Sequence, residues 1–151
     1  MRQHLAQVDG ATPAAVRSAV SEFRKMIRQP VVRGLLSKSQ YSGDLFDSWD
    51  RIEVLNERPF AVRIDDRVLT GFIDRLVLLH RGGRIEAADV IDFKTDDLTR
   101  QDNEAVTQRT AIYRPQLQAY RDAVARMLGL PADRISARLV YAAIDRHVQI
   151  D

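Results

Sequence analysis

The chain has 151 residues, 45% of them hydrophobic and 29% charged, with a formal charge of +2 and a pI near 9.2. That is the profile of one ordinary globular domain with a single hydrophobic core, open to an anionic partner without requiring one. The lack of cysteine excludes disulfides, thiolate zinc centres and iron–sulfur clusters. No apolar run approaches the length of a membrane span and nothing resembles a signal peptide, so a cytoplasmic location with no membrane partner is expected.

Residues 1–9 are short and helical in character. From Thr12, a plausible N-cap followed by Pro13, the residues Val16, Val20, Phe23 and Ile27 recur at helical spacing, and Pro30 lies just past the end. The other face of this helix carries Arg17, Arg24, Lys25 and Arg28, which taken alone describes a solvated surface. Residues 37–50 read as a loop that tucks Leu45, Phe46 and Trp49 against the core. The stretch 51–64 predicts one or two strands broken near Asn56, with a turn at Asp65-Asp66. A long strand follows over 67–81, then a glycine turn at Gly82-Gly83 and a returning strand ending in Ile91-Asp92-Phe93-Lys94-Thr95. From Asp96 to Arg109 the chain is polar and aperiodic. A helix from Tyr113 to Gly129 carries Leu117, Tyr120, Val124 and Leu128 on one stripe. The strand 136–145 closes the order, and residues 146–151 continue or pair with it. The pattern predicts an α/β or α+β domain with a mixed sheet.

Three ionisable residues interrupt strands that otherwise read as buried: Asp74, Asp92 and Lys94. Side chains alternate along a strand, so Val90, Asp92 and Lys94 share one face while Ile91 and Phe93 take the other. Asp74 is expected on the face of Phe72 and Leu76. The hairpin register decides whether the two acids meet. A two-residue turn at Gly82-Gly83 sets Asp74 opposite Ile91, whereas a three-residue turn that includes Arg84 sets it opposite Asp92, and the latter is preferred. Opposed carboxylates repel, so this register makes sense with a divalent cation between them. Ordinary edge salt bridges are the competing account of any one pair. On the following helix Gln116 and Tyr120 are neighbours four residues apart, and a glutamine on an apolar stripe needs a polar partner.

The ordered trio Gly71-Phe72-Ile73-Asp74-Arg75, Ile91-Asp92-Phe93-Lys94-Thr95 and Gln116-Leu117-Gln118-Ala119-Tyr120 resembles the successive motifs of the PD-(D/E)XK nuclease superfamily. It is most similar to the RecB-type nuclease domain at the C-terminus of bacterial UvrD/Rep-like helicase–nucleases such as AddA and RecB. The resemblance implies a restriction-endonuclease-like αβββαβ core with a central mixed sheet flanked by helices. It implies Asp74 and Asp92 as carboxylate ligands of Mg²⁺, with Mn²⁺ able to substitute, the Phe93 carbonyl as a further ligand and Lys94 as the catalytic lysine. Gln116 and Tyr120, with Arg75 and Thr95 beside the two acidic motifs, would support the site or contact DNA. Glu57 matches the acid preceding the first motif strand. Relatives carry an upstream G-T-x-x-H histidine ligand; here the glycine and threonine are absent, and His4 either fills that role or is a solvent-facing residue.

Residues 1–151 then form one nuclease domain. The chain has no G-x-x-x-x-G-K-[ST] phosphate loop, which implies a C-terminal fragment of a larger helicase–nuclease or a freestanding nuclease. DNA ends are the implied partner, with helicase domains in the same parent chain and a possible partner subunit. The implied activity is Mg²⁺-dependent DNA hydrolysis, exonucleolytic rather than sequence-specific, in end processing and recombinational repair. Arg100, Arg109, Arg114 and the basic face of the first helix are suited to hold the DNA backbone. A nuclease-fold DNA-binding or scaffolding module without catalysis is the alternative.

Overall fold

The computed structural model of the chain describes residues 12–41, 49–64, 66–96, 98 and 103–150. His4, Leu45, Phe46 and Arg100 lie outside the described residues. Helices α1 (Pro13–Arg28) and α2 (Pro30–Leu36) and a 3₁₀ turn (Lys38–Tyr41) precede the sheet. Strands β1 (Arg51–Ile64), β2 (Arg67–Arg81) and β3 (Arg84–Lys94) form a meander; helix α3 (Asn103–Leu128) crosses to β4 (Ile135–Tyr141), and β5 (Arg146–Gln149) follows a second short turn. The sheet order is β1-β2-β3-β4-β5. Only the β3–β4 pair is parallel, as a helical crossover requires, so the sheet is mixed. This α+β architecture of five strands and three helices is the restriction-endonuclease-like arrangement expected, with β5 extending it.

Two cores sandwich the sheet. On one face Leu76, Leu78, Val90, Leu139 and Tyr141 pack on Leu117 and Val124 of α3. On the other, Val77, Leu79, Ile91 and Val140 pack on Val32 and Leu35 of α2 and on Tyr41. Among the described residues, no helix is long and apolar enough to cross a membrane.

The helices correct two expectations. Helix α3 starts at Asn103, ten residues before the tyrosine expected to open it, and Pro115 lies inside it. Proline removes one helical N–H and crowds the preceding turn, but tertiary packing overrides that cost. Val106 and Thr110 are buried in the added turns, where the Thr110 hydroxyl lies 2.9 Å from that of Tyr141. Helix α1 has the expected cap, Thr12 Oγ1 accepting from the Ala15 N–H at 3.2 Å. Yet no residue of α1 is buried, and Val16, Val20 and Phe23 are 45%, 43% and 56% exposed.

The hairpin reaches the expected register by a different route. The turn is Gly82-Gly83 alone, with Arg81 paired to Arg84. Both glycines have positive φ, +57° and +76°, which a two-residue type I′ turn demands and glycine supplies without steric cost. The three-residue turn is therefore overturned. A bulge restores the offset: His80 pairs with Ile85, Leu79 pairs with Ala87, and Glu86 is the extra residue. Beyond it Arg75 pairs with Ile91, so the next position of the ladder sets Asp74 beside Asp92.

A second irregularity lies at that same point. The β1–β2 pairing runs Asn56 with Arg75 and Arg58 with Ile73, omitting Glu57 and Asp74, and Glu57 has φ +48°. Across this step the inward-facing set changes parity: Ile73 and Leu76 both enter the α3-side core, as do Phe60 and Leu55. The expectation that Asp74 shares a face with Phe72 and Leu76 is thus corrected, since Leu76 is buried while Phe72 is 63% exposed. The expected break near Asn56 is real, but it kinks one continuous strand.

Gly71 pairs with Phe60 across β1–β2. A Cβ here would meet Phe60 Cε1 at 2.9 Å and Cζ at 3.1 Å, and Tyr120 Cε1 at 3.4 Å. The Phe60 ring cannot retreat, being buried and packed edge-on against Tyr120 with centroids 5.4 Å apart. Gly71→Ala is expected to cost about 1–3 kcal/mol by overpacking, read as a fall in Tm of roughly 2–4 °C per kcal/mol. An unchanged Tm would show that the contact relaxes freely.

Candidate functional site

The site forms where β2 separates from β3, at the carboxyl ends of the parallel strands β3 and β4. Asp92 and Lys94 continue the α3-facing row of Ala88 and Val90, as strand alternation demands. Lys94 Nζ lies 2.7 Å from Asp92 Oδ2. Asp74 reaches β3 through its side chain: Oδ2 accepts the Phe93 backbone N–H at 2.8 Å, taking over from the backbone ladder, whose last pair is Arg75–Ile91.

Helix α3 closes the site from above. The Lys94 ammonium donates to Gln116 Oε1 at 3.4 Å, and the Gln116 amide donates to the Tyr120 hydroxyl at 2.7 Å. Gln116 is exposed and so does not sit on the buried apolar stripe expected of it, but it does make these two polar contacts. The same ammonium stands 4.2 Å from the centroid of the Tyr113 ring, whose hydroxyl donates to both Asp96 oxygens at 3.1 and 3.2 Å. Arg109 Nε lies 3.6 Å from Asp96 Oδ1. Tyr113 and Asp96 were not singled out by sequence reasoning. The spacing of Tyr113, Gln116 and Tyr120 on one face of the helix already expected from Tyr113 was a signal for the tyrosine, whereas Asp96 had none.

The remaining candidates fall outside this cluster. Arg75 points toward α2, donating to Asn56 Oδ1 at 3.3 Å and to the Leu36 carbonyl at 3.5 Å. Glu57 is exposed at the kink opposite Asp74. Thr95 is exposed one residue beyond Lys94 and lines a groove against α1.

The charged pair is asymmetric. Burial raises the Asp92 pKa, the Lys94 ion pair pulls it back, and the charge of Asp74 raises it again; the net direction is up. Burial lowers the Lys94 pKa, but its hydrogen bond and attraction to Asp92, aided by Tyr113 and Asp74, carry it above its ordinary value. The partners differ because the Asp92 side chain is only 5% exposed and that of Lys94 is 16% exposed. Burial thus dominates for the acid and attraction for the base. Lys94 is a firmly charged ammonium at neutral pH, and Asp92 is a carboxylate short of favourable contacts.

That shortage is the observation on which a cation can be tested. Asp92 Oδ2 is buried, and among the described residues its polar neighbour is the Lys94 ammonium at 2.7 Å, a charged contact poorly aligned as a hydrogen bond. Among the described residues, no group of three or more His, Cys, Asp or Glu side chains is placed to hold a metal. Side chains therefore offer two carboxylates, Asp74 and Asp92, with main-chain oxygen nearby. This sparse all-oxygen set fits a hard divalent cation that keeps several waters.

One further buried acid lies on the opposite face. Asp89 accepts from the Tyr41 hydroxyl and the Ser136 hydroxyl, each at 2.7 Å, and Arg138 stands 3.2 Å away. Its satisfied surroundings mark a structural anchor that ties the 3₁₀ turn to β3 and β4.

A carboxylate pair and a lysine at the end of the central strands, backed by a glutamine–tyrosine helix face, define a nuclease-type α+β domain. Comparison with family models agrees: residues 3–150 match the PD-(D/E)XK nuclease superfamily, and the chain belongs to that family. No curated protein matches it significantly. Members of the superfamily are generally nucleases that use divalent metals.

Proposed function

We propose that the chain is a Mg²⁺-dependent deoxyribonuclease domain with its site at Asp74, Asp92 and Lys94. The observation that carries this reading is the ion pair of Lys94 with a buried, under-bonded Asp92, beside an Asp74 that grips the intervening Phe93 amide. Asp74, Asp92 and the Phe93 carbonyl would hold the cation, with His4 as a further ligand if the upstream histidine role falls to it. Bound there, a divalent cation polarises the phosphate and lowers the pKa of a coordinated water.

The chain's own groups do the rest. The Lys94 ammonium, kept charged by Asp92, orients the attacking water and offsets negative charge growing on the phosphate oxygens. Gln116 and Tyr120 hold the ammonium in line from one side, and the Tyr113 face covers it from another. Arg109, Arg114 and the basic residues of α1 hold the DNA backbone through charge alone. Degradation from DNA ends within a RecB/AddA-type helicase–nuclease, serving recombinational repair in a bacterial cytoplasm, is the setting we propose for this activity. It rests on the motif resemblance.

The test is hydrolysis of single- and double-stranded DNA in Mg²⁺, in Mn²⁺ and in chelator. Metal-dependent cleavage that chelator abolishes is the expected result. DNA binding without cleavage under every metal condition would replace this reading with a non-catalytic nuclease-fold module.

A further inference from the structure

A groove lies at the carboxyl ends of β3 and β4, between Thr95, the residue after Lys94, on one side and α1 on the other. Crevices at the carboxyl ends of parallel strands are where open α/β sheets take ligands. Three alanines, Ala19, Ala142 and Ala143, line the groove, and methyl groups leave room for a flat ring. Phe23, 56% exposed, supplies an aromatic wall. The Gln29 side chain also lines it, and its Oε1 is a buried acceptor with no donor. Lys25 and Glu22 face the groove with opposite charges, so its interior favours a neutral group over a phosphate. Outside, Arg17, Arg24 and Arg28 are exposed along the same helix, matched to a polyanionic chain.

We propose that this groove receives one unpaired nucleobase of a single-stranded DNA substrate, stacked on Phe23 with its Watson–Crick edge donating to Gln29 Oε1. Every base carries an N–H donor on that edge, and pairing in a duplex occupies it. A cleft between one helix and two strand ends admits a single ring but not a double helix. The flanking phosphates lie against the arginines of α1, and the strand runs on past Thr95 to Lys94. The proposal rests on the DNA-nuclease reading for its substrate class, and it assigns α1's uncovered aromatic side to the strand being cut.

The test measures binding in chelator, where no cleavage intervenes, using a labelled oligothymidylate, an abasic strand of equal length and a blunt duplex. Phe23→Ala is expected to weaken the oligothymidylate about tenfold, within the range for losing one base–aromatic stack, and to leave the abasic strand and the duplex unchanged. Phe23→Tyr should bind as wild type, and Gln29→Ala should weaken only the base-bearing strand. Phe23 is not in the core, and Gln29 caps its two helices through its backbone and not its side chain, so these variants are expected to fold. Oligothymidylate affinity unchanged in Phe23→Ala, or an equal loss on all three ligands, would overturn the groove while leaving the nuclease reading intact. Phe23-dependent binding by a protein that cleaves nothing would uphold the groove and overturn the nuclease. Failure of the wild type to bind any DNA would overturn both.

Discussion

Lys94→Ala is expected to reduce Mg²⁺-dependent DNA cleavage about a hundred- to a thousandfold in turnover, the usual loss when one charged donor to a developing oxyanion is removed. Among the described residues, the ammonium is the single group that meets Asp92, Gln116 and the Tyr113 ring together, and no other cation is placed to replace it. Its removal also takes from Asp92 the counter-charge that the described residues supply. The concentration of Mg²⁺ needed for half-maximal residual activity should therefore stay level or fall, even as turnover collapses. This split separates Lys94 from a residue that merely holds the fold, whose loss would lower Tm and damage metal dependence together. Full turnover in saturating Mg²⁺ by the purified variant would remove Lys94 from the chemistry.

Asp92→Asn is expected to abolish activity while raising the Tm of the metal-free protein. The sign follows from the upward pKa shift, which persists although Lys94 already opposes it. A carboxyl whose folded pKa lies above its unfolded value destabilises the folded state wherever the pH exceeds the unfolded pKa. That penalty shrinks as pH falls through the folded pKa and vanishes below the unfolded one. The stability gap between variant and wild type should therefore close on acidification. Divalent cations should reverse the order at neutral pH. A ligand at a hundred times its Kd adds about 2.7 kcal/mol to the wild type, and the asparagine variant should gain far less. Thermal unfolding with and without Mn²⁺ reads both effects. A metal-free Tm below that of wild type, or an undiminished Mn²⁺ shift, would count against Asp92 as a buried cation ligand.

Much of this site was legible because it depends on short-range geometry. The period of two along Val90, Asp92 and Lys94 set acid and ammonium on one face without any knowledge of the sheet. The spacing of Gln116 and Tyr120 did the same on the helix. The offset between Asp74 and Asp92 was read correctly for the wrong cause. Glu86 looks like any strand residue, and a bulge at that position depends on how two strands twist together. The parity change at Glu57 and Asp74 was equally hidden, because only the partner strand reveals that both are skipped. The first turns of α3 were obscured by Pro115 and by a polar composition whose buried members, Val106 and Thr110, gain their place through contacts with distant residues. The apolar stripe of α1 shows the reverse failure: periodicity announces an amphipathic helix but not whether this chain covers it.

The bond between Asp74 and the Phe93 amide makes that one hydrogen a probe of the site. Exchange of neighbouring β3 amides is expected to follow the opening of the sheet, whereas this one is held by the side chain that the proposed function also gives to the cation. If the proposed cation binds at Asp74, its resonance and its protection should change with occupancy. That amide would then be a spectroscopic gauge of loading, readable before any DNA is cut.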